Sequence, residues 1–173
     1  MTTSKDITGA QIRSTSLADI STIARLHARV FGPGRFSRTA YRVREGAPHV
    51  SRFCRHASVD GEVVAAVSFT EIEFGARPNA LLLGPLAVAP EVAGRGLGRK
   101  LITAGLEQAG AQGIAIVLLV GDEPYYARFG FSRVPAGQIQ FPGPVDINRI
   151  LAWQAHSNAI EEYAGMVKSA RQR

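Results

Sequence analysis

Hydrophobic and polar positions recur with different spacings along the chain, and the spacing predicts where helices and strands lie. Between residues 20 and 31, apolar residues recur every three or four positions, as in an amphipathic helix. Ser16 and Asp19 have the spacing of a capping box, which predicts that this helix begins just after Ser16. A short strand is predicted before it, over residues 10–15, and a second helix after it, over residues 37–45.

The next part of the chain has the pattern of an antiparallel hairpin. Two β-rich runs, residues 52–59 and 62–74, flank Asp60-Gly61, a dipeptide typical of tight hairpin turns. A further strand is predicted over residues 81–89, after a turn at residues 77–79.

A change from strand to helix and back to strand follows. A glycine-rich loop leads into a helix from Leu97, in which Leu101, Ala104 and Ala109 share an apolar face. The run 114–120 is apolar and β-branched, as expected for a buried strand. Strand, helix and strand in this order predict a parallel crossover.

The last third of the chain predicts shorter elements. They are one or two helical turns over residues 124–129, a strand over 131–134 and a last strand over 150–154. Beyond them, Ile160, Tyr163 and Val167 stand at helical spacing, and Glu161 follows Asn158 as a capping-box partner would. We therefore expect a helical tail whose apolar face packs on the body or on a second subunit.

These elements predict a single α/β (α+β) domain over residues 1–173. Its core is expected over residues 10–154 and its C-terminal helical extension over residues 155–173. The sheet should be mixed and mostly antiparallel, with one parallel β-α-β crossover and helices on both faces. A chain of 173 residues is long enough to bury the core of one such domain.

Composition narrows the class of protein. Hydrophobic residues make up 46% and charged residues 20%, as in a globular domain. Apolar runs are too short to span a membrane, and the first residues lack the apolar region of a secretion signal, so a cytoplasmic protein is expected. Cys54 is the sole cysteine, which excludes an internal disulfide. We expect no metal site.

The excess positive charge lies in the first third of the chain. Residues 1–60 hold 10 Lys and Arg against 4 Asp and Glu, and residues 61–173 hold 10 against 10. No base-stacking motif or recognition helix accompanies this charge, so nucleic-acid binding is disfavoured.

The glycine-rich loop is the clearest candidate for chemistry. Gly94, Gly96 and Gly98 lie between a buried strand and a helix, where backbone N–H groups and the helix dipole favour a phosphate. A triphosphate loop is excluded because Lys100 follows Arg99 and precedes Leu101. A dinucleotide loop fits poorly because Arg99 stands where its last glycine belongs. A tight turn without a ligand is the remaining alternative.

Two segments in the right order resemble the GNAT superfamily of N-acetyltransferases. The run 83–90 with Gly94-Arg95-Gly96-Leu97-Gly98-Arg99-Lys100-Leu101 resembles the coenzyme A (CoA) binding motif of that family. The segment 121–131, in which Tyr126 stands four residues before Gly130-Phe131, is similar to its second motif. The resemblance covers about residues 12–154. It departs from the family at Ala93, where Gln or Arg is usual.

The resemblance implies that acetyl-CoA is the co-substrate. Its pantetheine arm would lie along residues 86–88, the Leu86 amide would polarise the thioester carbonyl, and the loop amides would hold the pyrophosphate. The residues implied in CoA binding are Leu86, Ala87, Val88, Ala93, Gly94, Arg95, Gly96, Leu97, Gly98, Arg99, Tyr126 and Phe129.

The implied reaction is acetyl transfer to a primary amine by direct attack in a ternary complex. Tyr126 is the candidate acid for the departing thiolate, and packing with Tyr125 and the nearby phenylalanines is its alternative role. Glu71 and Glu73 share a strand face and are candidate bases, with a water chain as the alternative. A catalytically silent CoA-binding regulatory or scaffold domain is the rival function.

The amine acceptor is not identified by the sequence, but the basic first third suggests its charge. Arg38 and Arg42 are a like-charged i, i+4 pair in the lobe that borders the acceptor site in GNAT-like folds. This predicts an anionic acceptor, with a solvated basic face as the alternative. A homodimer is left open.

Overall fold

A computed structural model describes residues 5–34 and 39–170 of the chain. The helices are α1 (Ile20–Phe31), α2 (Thr39–Arg44), α3 (Leu97–Ala111) and α4 (Glu123–Tyr126). The strands are β1 (Gln11–Ser14), β2 (Arg55–Val59), β3 (Glu62–Phe74), β4 (Arg77–Val88), β5 (Ile116–Val120), β6 (Ser132–Arg133), β7 (Ile139–Gln140), β8 (Ile150–Gln154) and β9 (Gly165–Ser169). Within the described ranges, every helix is too short or too polar to cross a membrane.

The strands form one mixed sheet, as expected. Its order is β1-β2-β3-β4-β5-β8-β6, and along this path only β4 and β5 are parallel among the described strands. Helix α3 connects those two strands, so the predicted parallel crossover is confirmed. Strand β3 extends beyond its pairing with β2, and β9 pairs with this extension at Ile72–Phe74.

The sheet has an apolar core on each face. Along β5, Val117 and Leu119 belong to one core, while Ile116 and Leu118 belong to the other. Helices α1 and α3 cover the first core, and the short α2 contributes Val43 to the second. Helices therefore lie on both faces of the sheet, as predicted.

Several local predictions are confirmed. The Ser16 amide and hydroxyl both donate to the Asp19 carboxylate at 2.8 Å, and a 3-10 turn at Leu17–Asp19 leads into α1. Asp60 and Gly61 adopt φ angles of 51° and 78°, as a tight hairpin turn requires. Helix α2 is shorter than the predicted 37–45, of which residues 37 and 38 lie outside the described ranges.

The predicted turn at residues 77–79 is wrong by about two residues. Phe74 already pairs with Arg77, so the turn is at Gly75-Ala76 and β4 begins at Arg77. The prediction relied on Pro78 as a turn residue, although a proline near a strand start removes only one amide from the ladder.

The predicted C-terminal helical extension is also wrong. After Gln154 the chain forms a 3-10 turn at Ala159–Glu162 and then strand β9. Asn158 is left-handed (φ 64°) where a helix N-cap would be extended, and Gly165 (φ 99°) interrupts the helical spacing. Tyr163 and Val167 are nevertheless buried, so the expected apolar face does pack on the body.

Glycine at position 105 sets the distance between α3 and the sheet. A Cβ atom added there would lie 2.3 Å from Phe69 Cε2, and Phe69 is itself fully buried in β3. A Cβ atom at Gly110, in the same helix, would meet Trp153 at an ordinary 3.5 Å. Helix α3 can lie this close to β3 only because residue 105 has no side chain.

Gly105→Ala should therefore lower the free energy of unfolding by roughly 1 to 3 kcal/mol through overpacking. Gly110→Ala is the matched control and should raise it by up to about 1 kcal/mol through helix propensity. Urea unfolding of both variants measures the difference. Equal effects of the two substitutions would contradict the proposed close packing of α3 on β3.

Candidate active site

A gap opens where β4 and β5 separate. The two strands pair from Ala80 with Ile116 to Leu82 with Leu118, and β4 then continues alone on this side to Val88. The chain after β5 turns away at Gly121 into α4. The backbone of residues 83–88 therefore borders an opening rather than a neighbouring strand, and can form hydrogen bonds with an extended ligand.

A bulge in β4 lies at the start of this gap. Val67 of β3 pairs with Leu86, whereas Phe69 pairs with Leu83, so Gly84 and Pro85 lie opposite the single residue Ser68 and β4 has one extra residue. Gly84 has φ 125°, which only glycine adopts readily, and the peptide bond to Pro85 is cis. The bulge turns the strand away from β5 and lines the cavities described below.

The N-terminus of α3 faces the same region. Gly96 is its N-cap, with a left-handed φ of 86°, and no side chain caps the helix. The amides of the first turn, Leu97 to Arg99, have no partner inside the helix. A Cβ atom at Gly98 would lie 3.4 Å from the Leu86 side chain, so this helix end packs directly on β4. A helix N-terminus of this kind favours negative charge beside it.

The arginines of the glycine loop contribute less than its backbone. The Arg95 side chain donates to the backbone carbonyl of Lys5, which ties the loop to the N-terminal segment. Arg99 is exposed on the first turn of α3, and Ala93 is exposed just before Gly94. The predicted cofactor residues 93–99 thus form one loop at the start of α3, but Arg95 is engaged with the protein itself.

Tyr126 lies at the end of α4, largely buried among aromatic rings. Its ring centroid is 5.8 Å from that of Phe131 and 6.3 Å from that of Phe129. It also covers Gly121, where a Cβ atom would come within 2.6 Å of the ring. Burial raises the pKa of Tyr126 to about 12, so the phenol keeps its proton at neutral pH. It is chemically a weak proton donor.

The Tyr125 hydroxyl lies near the first turn of α3, which the sequence analysis did not anticipate. Its hydroxyl would be 3.5 Å from a Cβ atom at Gly98, on the first turn of α3. The centroid of its ring is 4.9 Å from that of the Tyr126 ring. The Arg128 guanidinium lies over the Tyr125 ring, with its Cζ atom 4.9 Å from the ring centroid. In the sequence, the signal for this position of Tyr125 was the doublet Tyr125-Tyr126, in which both rings can reach one side of a short helix.

Glu71 and Glu73, the predicted bases, lie on β3 away from this gap. Glu71 pairs across the ladder with Leu81, is exposed, and lies 3.9 Å from Arg52. Glu73 pairs with Lys168 of β9. Neither carboxylate lines the cavities at the bulge. They do share a strand face, but their placement gives the base role no support.

Two cavities meet at the β4 bulge. The first, of about 350 Å³, lies between α1, α2 and β3. The second, of about 450 Å³, lies between α2, the end of β5 and the segment 144–149. Tyr41, Arg44 and Pro85 line both. Small molecules bind in cavities of this size, and these two meet at the bulge where the gap begins.

No metal centre accompanies these cavities in the part of the chain that the structure describes. Groups of three or more His, Cys, Asp or Glu side chains able to hold an ion are absent there.

Comparison with known proteins relates this geometry to a family. The model of the acetyltransferase (GNAT) family matches residues 20–131. An Escherichia coli K12 protein, the uncharacterized N-acetyltransferase YjhQ, is 33% identical over an alignment of 142 residues that covers 77% of this chain and 75% of that protein.

Solved structures agree. The GNAT family N-acetyltransferase YhbS from Escherichia coli, crystallised with CoA, has a TM-score of 0.76 at 26% identity and covers 93% of this chain and 89% of its own. A GNAT family acetyltransferase from Brucella melitensis, crystallised with acetyl-CoA, has a TM-score of 0.62 at 28% identity. The match covers 84% of this chain and 96% of that protein.

The buried phenol of Tyr126 predicts a loss of stability in alkali. Its pKa is raised from 10.0 to about 12, so above pH 10 the unfolded chain releases this proton first and unfolding becomes easier. At pH 11 this effect amounts to roughly 1.4 kcal/mol. Tyr126→Phe should therefore lose correspondingly less stability than the parent between pH 8 and pH 11, measured by urea unfolding. Equal losses would mean that the phenol is not buried.

Proposed function

Because the chain belongs to the GNAT family of acetyltransferases, we propose that it transfers an acetyl group from acetyl-CoA to a primary amine. The observation that carries the proposal is the uncapped N-terminus of α3 beside the gap between β4 and β5. Both features are needed. The helix N-terminus would hold the charged pyrophosphate of acetyl-CoA, and the gap would admit its extended pantetheine arm.

The gap suits CoA in shape and chemistry. First-turn amides at Leu97 to Arg99 would hold the pyrophosphate, and the backbone of residues 86–88 would pair with the amides of the pantetheine arm. The proteins from Escherichia coli and Brucella melitensis that share this fold were crystallised with CoA and acetyl-CoA. Ala93, where the family usually has a longer polar side chain, removes one contact and leaves the amides in place.

The chain's own groups then support direct attack. The amine nitrogen would form a bond to the thioester carbon while the Leu86 amide donates to the developing oxyanion. The carbon–sulfur bond would break, and Tyr126 would give its proton to the departing thiolate. The proton lost by the amine passes to a base, for which Glu71, Glu73 and water are the candidates. No covalent enzyme intermediate is needed.

Gly96 offers a direct test of the anion site. Gly96→Asp should abolish measurable acetyl-CoA binding because it places a carboxylate at the positive end of α3. Gly96→Asn is the matched control: asparagine tolerates the left-handed conformation and adds no charge, so binding should weaken by about tenfold or less. Calorimetry measures both. Equal affinities of the Asp variant and the parent would refute the loop assignment.

A pair of variants distinguishes the roles of the two tyrosines. Tyr126→Phe should lower kcat by about 10²- to 10⁴-fold with little change in acetyl-CoA affinity, because it removes only a proton donor. Tyr125→Phe should change kcat by less than about tenfold, since packing and one hydroxyl contact are lost without the donor. The measurement is CoA release with a fixed amine.

The same assay decides between the alternatives. A large loss of kcat in Tyr125→Phe alone would move the acid role to Tyr125. Unchanged turnover of Glu71→Gln and Glu73→Gln would leave the amine proton to water. Tight acetyl-CoA binding without transfer to any amine would favour the rival function, a catalytically silent CoA-binding domain.

A further inference from the structure

One charged side chain stands between the two cavities. Arg44 is the last residue of α2, and its guanidinium lines both the first and the second cavity. It lies against the bulge of β4, where a Cβ atom at Gly84 would be 3.3 Å from Arg44 Nη2. On its other side it lies 5.4 Å from the centre of the Tyr41 ring.

Among the described residues, 5–34 and 39–170, no carboxylate lies within ion-pair distance (4.0 Å) of this guanidinium. The remaining residues of the chain include no Asp or Glu. The Nε atom is buried and has no hydrogen-bond partner among the described residues. Burial also lowers the pKa of Arg44 to about 10, which still leaves it charged at neutral pH.

An unpaired, desolvated cation destabilises a folded protein unless something compensates it. The remaining arginines of this region are compensated by the protein or exposed. Arg29 pairs with Glu91 at 2.6 Å, and Arg55 donates to the carbonyls of Arg52 and Cys54 at 2.8 Å. In the second cavity, Arg149 lies 3.3 Å from Asp122.

The two arginines favoured by the sequence analysis do not occupy this position. Arg42 is exposed and donates to the Pro142 carbonyl at 3.4 Å, outside both cavities. Arg38 lies outside the described residues. The residue that faces the cavities is Arg44, two positions further along α2 from Arg42.

We propose that Arg44 binds the carboxylate of the amine acceptor, so that the acceptor is a small amine with one carboxylate and an apolar body. The inference rests on the proposed acetyl transfer. A carboxylate matches a single guanidinium in charge and in its planar pair of acceptors. The body of the acceptor would contact the apolar side chains of the first cavity, among them Ile20, Ile23, Val67, Phe69 and Pro85.

The other ionisable groups of the cavities favour a monoanion over a phosphate. Glu45 and Asp146 lie at the edges of the first and second cavity and would repel a second negative charge. His27 and His49 also line the first cavity. A phosphate would require more fixed cations than Arg44 supplies.

The test measures binding without chemistry. Protein saturated with CoA is titrated by calorimetry with L-leucine, L-methionine and L-phenylalanine, with the carboxamide of each, and with phosphoethanolamine. At least one amino acid should bind about 10- to 100-fold more tightly than its carboxamide, the usual contribution of a hydrogen-bonded charge. Arg44→Gln should remove that preference, and Arg42→Gln, on the exposed side of the same helix, should retain it.

The CoA affinity of each variant shows whether it is folded. Arg44→Lys keeps the charge but loses the planar pair of donors. It should therefore retain part of the preference for the amino acid. Binding of CoA with no preference for any amino acid over its carboxamide would overturn the inference and leave the proposed acetyl transfer intact. Tighter binding of phosphoethanolamine would overturn it in favour of a phosphate. Arg44-dependent binding of an amino acid that is never acetylated would support the site and contradict the proposed function.

Discussion

The early separation of β4 from β5 is the constraint on which the rest of the structure depends. After pairing at Leu82 with Leu118, β4 keeps its pairing with β3 and gives up its other neighbour. Buried backbone groups must have partners, so a strand that loses one can persist only where water or a ligand replaces it. The bulge at Gly84 and Pro85, which adds one residue to β4, produces this departure, and its residues also line the two cavities.

Helix α3 makes this opening into a charged site. The missing side chain at Gly105 lets the helix pack against Phe69, and Gly98 brings its first turn against Leu86. The positive end of the helix is thereby fixed beside unpaired strand backbone. Arg44 lies against the bulge at Gly84 of the same strand. Two positively charged features thus flank one short stretch of strand, one made of backbone amides and one of a side chain.

The sequence predicted those parts of the fold that local patterns determine. The hairpin at Asp60-Gly61, the crossover through α3 and the cap at Ser16 depend on residues close together in the chain, and all are confirmed. Strand β9 was predicted as helix because its pairing with β3 joins residues nearly a hundred positions apart, and helical spacing of three apolar residues cannot reveal it. The glycine loop was recognisable because backbone conformation demands glycine. The role of Arg44 was not recognisable, because residues 25–55 contain eight arginines that look alike in the sequence. Only the packing shows which of them lacks a counter-charge.

The central claim is that acetyl-CoA occupies the gap between β4 and β5 with its pyrophosphate on α3. A crystal structure of the protein with acetyl-CoA tests it most directly. The account predicts pyrophosphate oxygens at about 3 Å from the amides of Leu97 to Arg99 and the thioester beside residues 84–86, between Arg44 and the two tyrosines. Acetyl-CoA bound elsewhere, or a pantetheine arm outside the gap, would contradict it.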